Sequence, residues 1–171
     1  MPLNAAKISC YIIKDGVVFD LRDLEAENHY TTQDSLMYFN YCRFAAWPKD
    51  SSIKPIQTFA YRLDPTNKEP VAVFTNTDLI HEAELHRPNE TLNETESWLT
   101  LIQDSNTPCP SDQTQTIKFK TDVFCDKTIT GKGKPKIIYS NSGEVDCIVK
   151  VVLAHESGCS LIDASGFSDF L

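Results

Sequence analysis

The 171-residue chain lacks the features of several common protein classes. It has no C-x-x-C pair, whereas zinc ribbons and fingers need two closely spaced ligands to reach one ion. Its apolar runs are about as long as strands and too short for a membrane-spanning helix. Its first residues, MPLNAA, lack the basic and apolar segments of a signal peptide. The sequence therefore shows neither a zinc ribbon nor a recognisable spanning or export segment.

Positive charge is also scarce. Lysine and arginine total 16 against 24 aspartates and glutamates, which gives a net charge of −8 at pH 7. Nucleic acids and anionic membrane surfaces attract proteins through many basic side chains that neutralise phosphates. We therefore expect no nucleic-acid partner, and contact with a membrane only through an anchor that lies outside this sequence.

No catalytic constellation is visible. His81 and His86 are five residues apart, so they do not share the helix face that a zinc-binding H-E-x-x-H motif requires. His155, Ser157 and Ser160 lie close in sequence but lack the context of a nucleophile elbow. We therefore predict a protein that is not an enzyme and that uses no metal or cofactor.

Six cysteines are the most informative residues that are present. They are even in number and widely spaced, which predicts three disulfides and an oxidising compartment. The residues alone leave fifteen pairings open. The six are Cys10, Cys42, Cys109, Cys125, Cys147 and Cys159.

Two N-glycosylation sequons, at Asn89 and Asn93, also favour a luminal or extracellular setting. Because no signal peptide is visible, we expect the sequence to be the ectodomain of a type I membrane protein that passes through Golgi, endosomal or autophagic membranes. We expect residues 1–7 to be an N-terminal extension, 8–160 the domain, and 161–171 a C-terminal tail.

Short segments rich in Val, Ile, Phe and Tyr recur between turn residues, as is typical of half-buried strands. Residues 117–125 alternate with period two, which indicates one buried face. Helical periodicity is confined to 77–85, where we predict at most one short helix. The fold class is all-β, a flattened barrel or sandwich of about nine strands. The predicted strands are 8–13, 17–21, 37–42, 56–63, 71–75, 98–102, 116–125, 136–140 and 147–154.

Several short strings, in order, resemble the mannose 6-phosphate receptor homology (MRH) domain. They are FDLRDL at 19–24, YFNYC at 38–42 and SWLTLIQD at 97–104, followed by Cys-Asp at 125–126 and two final cysteines twelve residues apart. Both the receptors and the fungal autophagy-related MRH membrane proteins share this pattern. The resemblance implies a disulfide-linked β-barrel with the pairs Cys10–Cys42, Cys109–Cys147 and Cys125–Cys159.

In lectin-active MRH domains a glutamine, an arginine, a glutamate and a tyrosine bind mannose hydroxyls. Transferred by position, the tyrosine falls on Val149, and the arginine falls on Lys118 or Ile117. Valine offers no hydrogen bond, and lysine keeps the charge but loses the two-pronged geometry of a guanidinium.

The other two positions are less clear. The glutamate falls near Tyr139 or Ser140, and Glu144 is the nearest carboxylate. The glutamine falls on Gln57, or on residues 61–62 if the following hairpin is aligned. The sugar-binding residues that the resemblance implies are therefore Gln57, Lys118 and Glu144, an incomplete set.

The only basic cluster, TGKGKPK, contains Lys132, Lys134 and Lys136. In sugar-binding relatives this loop borders the pocket, so its lysines and the amides of Gly131 and Gly133 are candidates to bind an anion. The plainer interpretation is a glycine-containing hairpin loop with solvated lysines.

Two tryptophans are candidates to stack on a sugar. Trp98 alternates with Leu99 and Leu101 on a predicted strand, which favours the core. Trp47 precedes Pro48 in a loop and is the better candidate for an exposed ring.

The resemblance implies a recognition module in which the mannose-binding residues are mostly lost, so that the domain serves protein interaction or sorting. One alternative is an active lectin for mannose or mannose 6-phosphate that uses Lys118, Glu144 and the lysine loop in a rearranged pocket. Another is a noncatalytic subunit of a glycan-processing enzyme. The expected partner is thus a luminal protein or a mannose-type glycan.

Overall fold

A computed structural model describes residues 10–74, 82–86 and 98–163. Strands in three sheets form almost all of the regular structure, with short 3₁₀ turns at Arg22–Leu24 and Glu156–Gly158. None of the helices in these ranges is long and apolar enough to span a membrane. The prediction of an all-β sandwich is therefore confirmed.

Twelve strands lie in the described ranges. They are β1 (Tyr11–Lys14), β2 (Val17–Asp20), β3 (Tyr30–Thr31), β4 (Met37–Phe39), β5 (Ala60–Leu63), β6 (Pro70–Val73), β7 (Glu82–His86), β8 (Trp98–Cys109), β9 (Asp112–Cys125), β10 (Lys136–Ser140), β11 (Ile148–His155) and β12 (Ile162–Asp163).

The strands form one small sheet and two larger ones. The small sheet has the order β1-β2-β12 and begins with a hairpin whose turn residues, Asp15 and Gly16, both have positive φ, as tight two-residue hairpins require. The four-stranded sheet has the order β3-β4-β5-β6 and is antiparallel throughout. The five-stranded sheet has the order β10-β11-β9-β8-β7, and β9 and β11 run parallel.

The two larger sheets pack face to face through aromatic side chains. The Phe39 ring of β4 lies 5.4 Å from the Phe119 ring of β9, and Phe74 lies 5.9 Å from the same ring. Between the sheets, the Tyr41 hydroxyl lies 2.7 Å from Thr121 Oγ1. Burying such apolar area is the main stabilising contribution in a domain of this size.

The three disulfides join Cys10 to Cys42, Cys109 to Cys147 and Cys125 to Cys159, which are the pairs that the family pattern implies. The second crosses the open end of the five-stranded sheet, from the end of β8 to the residue before β11. The second and third therefore tie the ends of β8 and β9 to the segments on either side of β11, and the first joins the residue before β1 to the loop after β4.

The predicted helix at 77–85 is wrong over its last four residues, because Glu82–His86 is strand β7. It pairs antiparallel with β8, from Glu82 opposite Ile102 to His86 opposite Trp98. Ala83 is buried and Glu84 is exposed, which is the alternation of a strand. Strands β3 and β12 were not predicted, because two residues are too few for a periodic signal.

Candidate recognition sites

The first candidate site is the position that binds mannose in lectin-active MRH domains. Val149, at the expected tyrosine position, and Ile117, one of the two residues at the expected arginine position, have no solvent exposure and belong to the main core cluster. Their strands, β9 and β11, are neighbours, and Val149 lies opposite Phe119 in the parallel register. Apolar side chains therefore occupy this part of the space between the sheets.

Lys118 points the other way. Since side chains alternate along a strand, the burial of Ile117 places Lys118 on the outer face of the five-stranded sheet. Its Nζ lies 3.9 Å from Asp104 Oδ1, and both side chains are well exposed. An exposed pair of this kind contributes at most about 1 kcal/mol. Gln57 is also exposed, in the loop before β5.

Glu144 is bound by an arginine of the four-stranded sheet. Arg62 Nη1 donates to Glu144 Oε2 at 2.7 Å and to the carbonyl oxygen of Ser142 at 3.1 Å. The two side chains are only 18% and 21% exposed. The hydrogen bond from Arg62 holds the pKa of Glu144 below its ordinary value, against the opposing effect of burial.

A second set of hydrogen bonds fixes the loop that carries Glu144. Ser142 Oγ donates to Asp34 Oδ2, and the Gln33 amide donates to Ser140 Oγ at 3.1 Å. Burial would raise the pKa of Asp34, but hydrogen bonds from Ser142, Thr32 and the backbone together lower it. No hydrogen bond or ion pair joins any two of the described residues Gln57, Lys118 and Glu144.

The lysine loop packs on a different part of the molecule. The Gly133 amide donates to the Asp23 carbonyl at 2.8 Å, and a Cβ at this residue would lie 3.2 Å from the Glu25 carbonyl oxygen. Gly133 has a φ of +69°, which favours glycine. Lys132 Nζ lies 3.5 Å from Glu25 Oε2. Lys134 and Lys136 are exposed.

A buried histidine supports the same loop. His155 has no solvent exposure, and its Nδ1 accepts from the Ser157 amide at 3.0 Å. Its Nε2 must then carry the proton and donates to the Gly131 carbonyl at 2.9 Å. The histidine and Ser157 thus hold this loop in place through hydrogen bonds.

The second candidate site is a cavity of about 300 Å³ on the outer face of the four-stranded sheet. Tyr61 of β5 is 1% exposed and forms its floor. The Tyr38 ring stacks on Tyr61 at 5.5 Å, and the Trp47 ring lies 5.1 Å from Tyr61. The rings of Tyr38 and Trp47 therefore form the sides of the cavity, and the ring of Tyr61 forms its floor.

Several polar atoms around this cavity are already bonded. Tyr61 Oη donates to the Ala46 carbonyl at 2.6 Å, and Trp47 Nε1 donates to the Ile53 carbonyl at 3.2 Å. His29 stands edge-on to Tyr38 at 4.7 Å, and its buried Nδ1 has no hydrogen-bond partner. Burial lowers the pKa of His29, which keeps the ring neutral at neutral pH.

The sequence pointed to part of this site only. Trp47 was recognised as a possible stacking ring, but Tyr38, Tyr61 and His29 were not. The signal for Tyr38 lies in the motif itself, because Met37 and Phe39 are fully buried and the residue between them must face outward. Nothing in the sequence shows that the loop carrying Trp47 folds back over this face.

The outer face of the five-stranded sheet carries a polar network instead. Thr100 Oγ1 donates to Asp122 Oδ1 at 2.6 Å, and Lys150 Nζ lies 3.1 Å from Asp122 Oδ2. His86 Nε2 lies 3.0 Å from Thr100 Oγ1, and its ring stacks on Trp98 at 4.4 Å. The prediction that Trp98 is a core residue is wrong. Leu99, the next residue in β8, is fully buried on the core side, so Trp98 faces outward.

No family sequence profile and no characterised protein sequence matches this chain. Among solved structures, chicken IGF2R domain 11 is similar, with a TM-score of 0.56 and 16% identity. The alignment covers 91% of this chain and 95% of that chain. IGF2R domain 11 is an MRH domain, so the MRH fold indicated by the cysteines and short motifs is confirmed. The sequons at Asn89 and Asn93 lie outside the described residues.

Proposed function

Starting from the MRH fold, we propose that this protein is a non-enzymatic recognition module that binds a protein partner and does not bind mannose through the position used by lectin-active relatives. The observation that carries this proposal is the complete burial of Ile117 and Val149. A sugar at that position would meet two apolar side chains where an arginine and a tyrosine would hold its hydroxyls.

The energetic argument concerns unsatisfied hydroxyls. A buried polar group that finds no partner costs about 1–3 kcal/mol, and a pyranose would bring several such groups into this space. The favourable terms of a mannose site depend on directed hydrogen bonds from planar or charged groups. With Lys118 on the outer face, neither strand supplies such a group to the core side.

The disulfides and the fold support a luminal or extracellular setting. Within it, we propose a role in sorting or trafficking through Golgi, endosomal or autophagic compartments, with the domain displayed as an ectodomain.

A rearranged lectin pocket is the second candidate, because one observation favours it. Arg62 and Glu144 have two of the residue types that bind mannose, and they lie together at 2.7 Å. To bind these two residues, a sugar would have to break a partly buried ion pair and then hydrogen-bond to both charged side chains. That cost makes the rearranged pocket the weaker proposal.

A glycan array of the oxidised protein tests both candidates. It should carry plain, phosphorylated and phosphodiester-capped mannosides, and we expect no binding above background. Two variants, Glu144→Gln and Lys118→Ala, are probed in parallel with the parent protein. Mannoside binding that disappears in Glu144→Gln would contradict the proposal and establish the rearranged pocket. Binding that survives in both variants would place the sugar elsewhere on the domain, and it would contradict our expectation that no mannoside binds.

A further inference from the structure

The outer face of the four-stranded sheet is unusually apolar for a solvent-facing surface. One row across the sheet contains Thr31, Tyr38, Tyr61 and Val73, each opposite the next in the strand register. Antiparallel sheets normally cover their solvent side with polar residues. Tyr61 is buried and Tyr38 and Val73 are half-buried, so this row belongs to a second hydrophobic cluster, which reaches solvent at the cavity. Apolar surface that remains exposed often marks an interaction site.

Two apolar side chains that do not line the cavity are also exposed. Val71 is 49% exposed on β6, and Ile53 is 39% exposed in the loop that accepts the Trp47 hydrogen bond. Glu69 holds this loop, since its carboxylate accepts hydrogen bonds from Ser51 and Ser52. The surface around the cavity is therefore fixed by contacts within the domain.

The size of the cavity indicates what it can hold. At about 300 Å³ it is at the lower end of the range of ligand pockets, roughly 300–1,000 Å³. That volume suits one large side chain and is small for an oligosaccharide. The lining also includes no carboxylate, the group that commonly grips sugar hydroxyls in pairs.

The charge at the rim of the cavity indicates which polar group a ligand carries. Lys49 lines the cavity, is exposed, and has no ion-pair partner among the described residues. Asp50, the next residue along the chain, is also exposed, whereas Arg43 pairs with Glu25. An acidic group on the ligand would complement Lys49 at the point where an apolar group enters the cavity.

We propose that this cavity is the docking site for the partner protein, and that it takes one apolar side chain of an extended segment with an acidic residue beside it. This inference rests on the proposed function, since it assigns a place to the protein partner. Trp and Tyr rings of this kind dominate the binding energy of many interfaces.

A peptide-display library provides the test. The oxidised domain is panned against random linear twelve-residue peptides, and the affinity of each selected peptide is measured by calorimetry. Ala46 lines the cavity with an exposed methyl group, so Ala46→Trp should fill the cavity without removing a core contact. Gln113→Trp adds the same indole at an exposed position of the β8–β9 hairpin and is the matched control.

We expect peptides with an apolar anchor next to an acidic residue. Ala46→Trp should weaken them tenfold or more, Lys49→Glu should weaken them severalfold, and Gln113→Trp should leave them unchanged. Peptides that bind Ala46→Trp as tightly as the parent would overturn the site while leaving protein recognition intact. A library that yields no binder would overturn the inference of a linear segment, whereas failure of the proposed function would appear separately on the glycan array.

Discussion

The two large sheets of this domain present outer faces of opposite character. On the five-stranded sheet, Asp122 accepts from Thr100 and pairs with Lys150 beside a cavity of about 280 Å³ that is lined mostly by polar and charged side chains. On the four-stranded sheet, Tyr38 and Trp47 surround a cavity. The first face satisfies its buried polar groups within the domain, and the second resembles the aromatic centre of a protein interface.

Both large sheets bury apolar side chains on their inner sides. On the five-stranded sheet these include Ile117 and Val149, which have no solvent exposure. The four-stranded sheet gains stability from the inner side through Phe39, which leaves its outer side free to present aromatic rings. Recognition on this outer face needs no change in the core.

The largest expected effect is on the free energy of unfolding, and it is seen by comparing one substitution on each outer face. Tyr61→Ala should lower the free energy of unfolding by about 3–5 kcal/mol, because it removes a buried ring and the hydrogen bond to Ala46. Lys120→Ala, on the opposite face, should change it by less than about 0.5 kcal/mol. Urea titrations of the oxidised variants measure both. Equal losses would show that the cavity floor is not a packed element.

A smaller loss in the free energy of unfolding is expected when Asp122 is removed from the polar network. Asp122→Ala should cost about 1–3 kcal/mol, because the buried Thr100 hydroxyl loses its acceptor. Lys150 is half exposed, so its ion pair adds little. Asp104→Ala, which removes the exposed partner of Lys118, is the control and should be nearly neutral. Both variants should bind selected peptides like the parent, and a loss of binding in Asp122→Ala would remove the contrast between the faces.

The smallest effect concerns the loop that carries Glu144 and depends on pH. Glu144→Gln should cost about 1–2 kcal/mol at neutral pH, because Arg62 loses a charged acceptor. The pKa of Glu144 is lowered in the folded state from its ordinary value of 4.5, so this stabilisation is present above pH 4.5 and is lost as pH falls through the lowered pKa.

Urea titrations of parent and Glu144→Gln at several pH values check this sign. The difference between the two proteins should be constant from pH 7 to about 5 and should shrink below about pH 4. The loop would then stay docked at the acidity of an endosome. A difference that grows as the pH is lowered would contradict the assignment of Arg62 as the partner of Glu144.

More of the fold than of the candidate sites could be predicted from the sequence. Alternation along 117–125, the cysteine spacing and YFNYC were sufficient for an all-β MRH fold, because local periodicity and cysteine order survive at low sequence identity. The helix predicted at 77–85 is wrong over residues 82–85, because pairing with β8 determines the structure of this segment. A weak helical pattern in the sequence cannot show that pairing.

The site was harder to predict because its residues meet only through tertiary packing. Arg62 appeared in the sequence as a candidate for the glutamine position, but its contact with Glu144 spans 82 residues. Lys118 and Ile117 could not be told apart by counting from a cysteine, since one residue of register exchanges the two faces of a strand. The aromatic cavity likewise combines a strand pair with a distant loop.

Amide chemical-shift mapping with mannose 6-phosphate tests the central claim, that the sugar position of this fold is closed, most directly. The labelled, oxidised protein is titrated to about 10 mM ligand, tenfold above a dissociation constant of about 1 mM. We predict no saturable shifts around Arg62, Glu144, Ile117 or Val149. Saturable shifts at those residues that vanish in Glu144→Gln would contradict the account and show that the sugar opens the site.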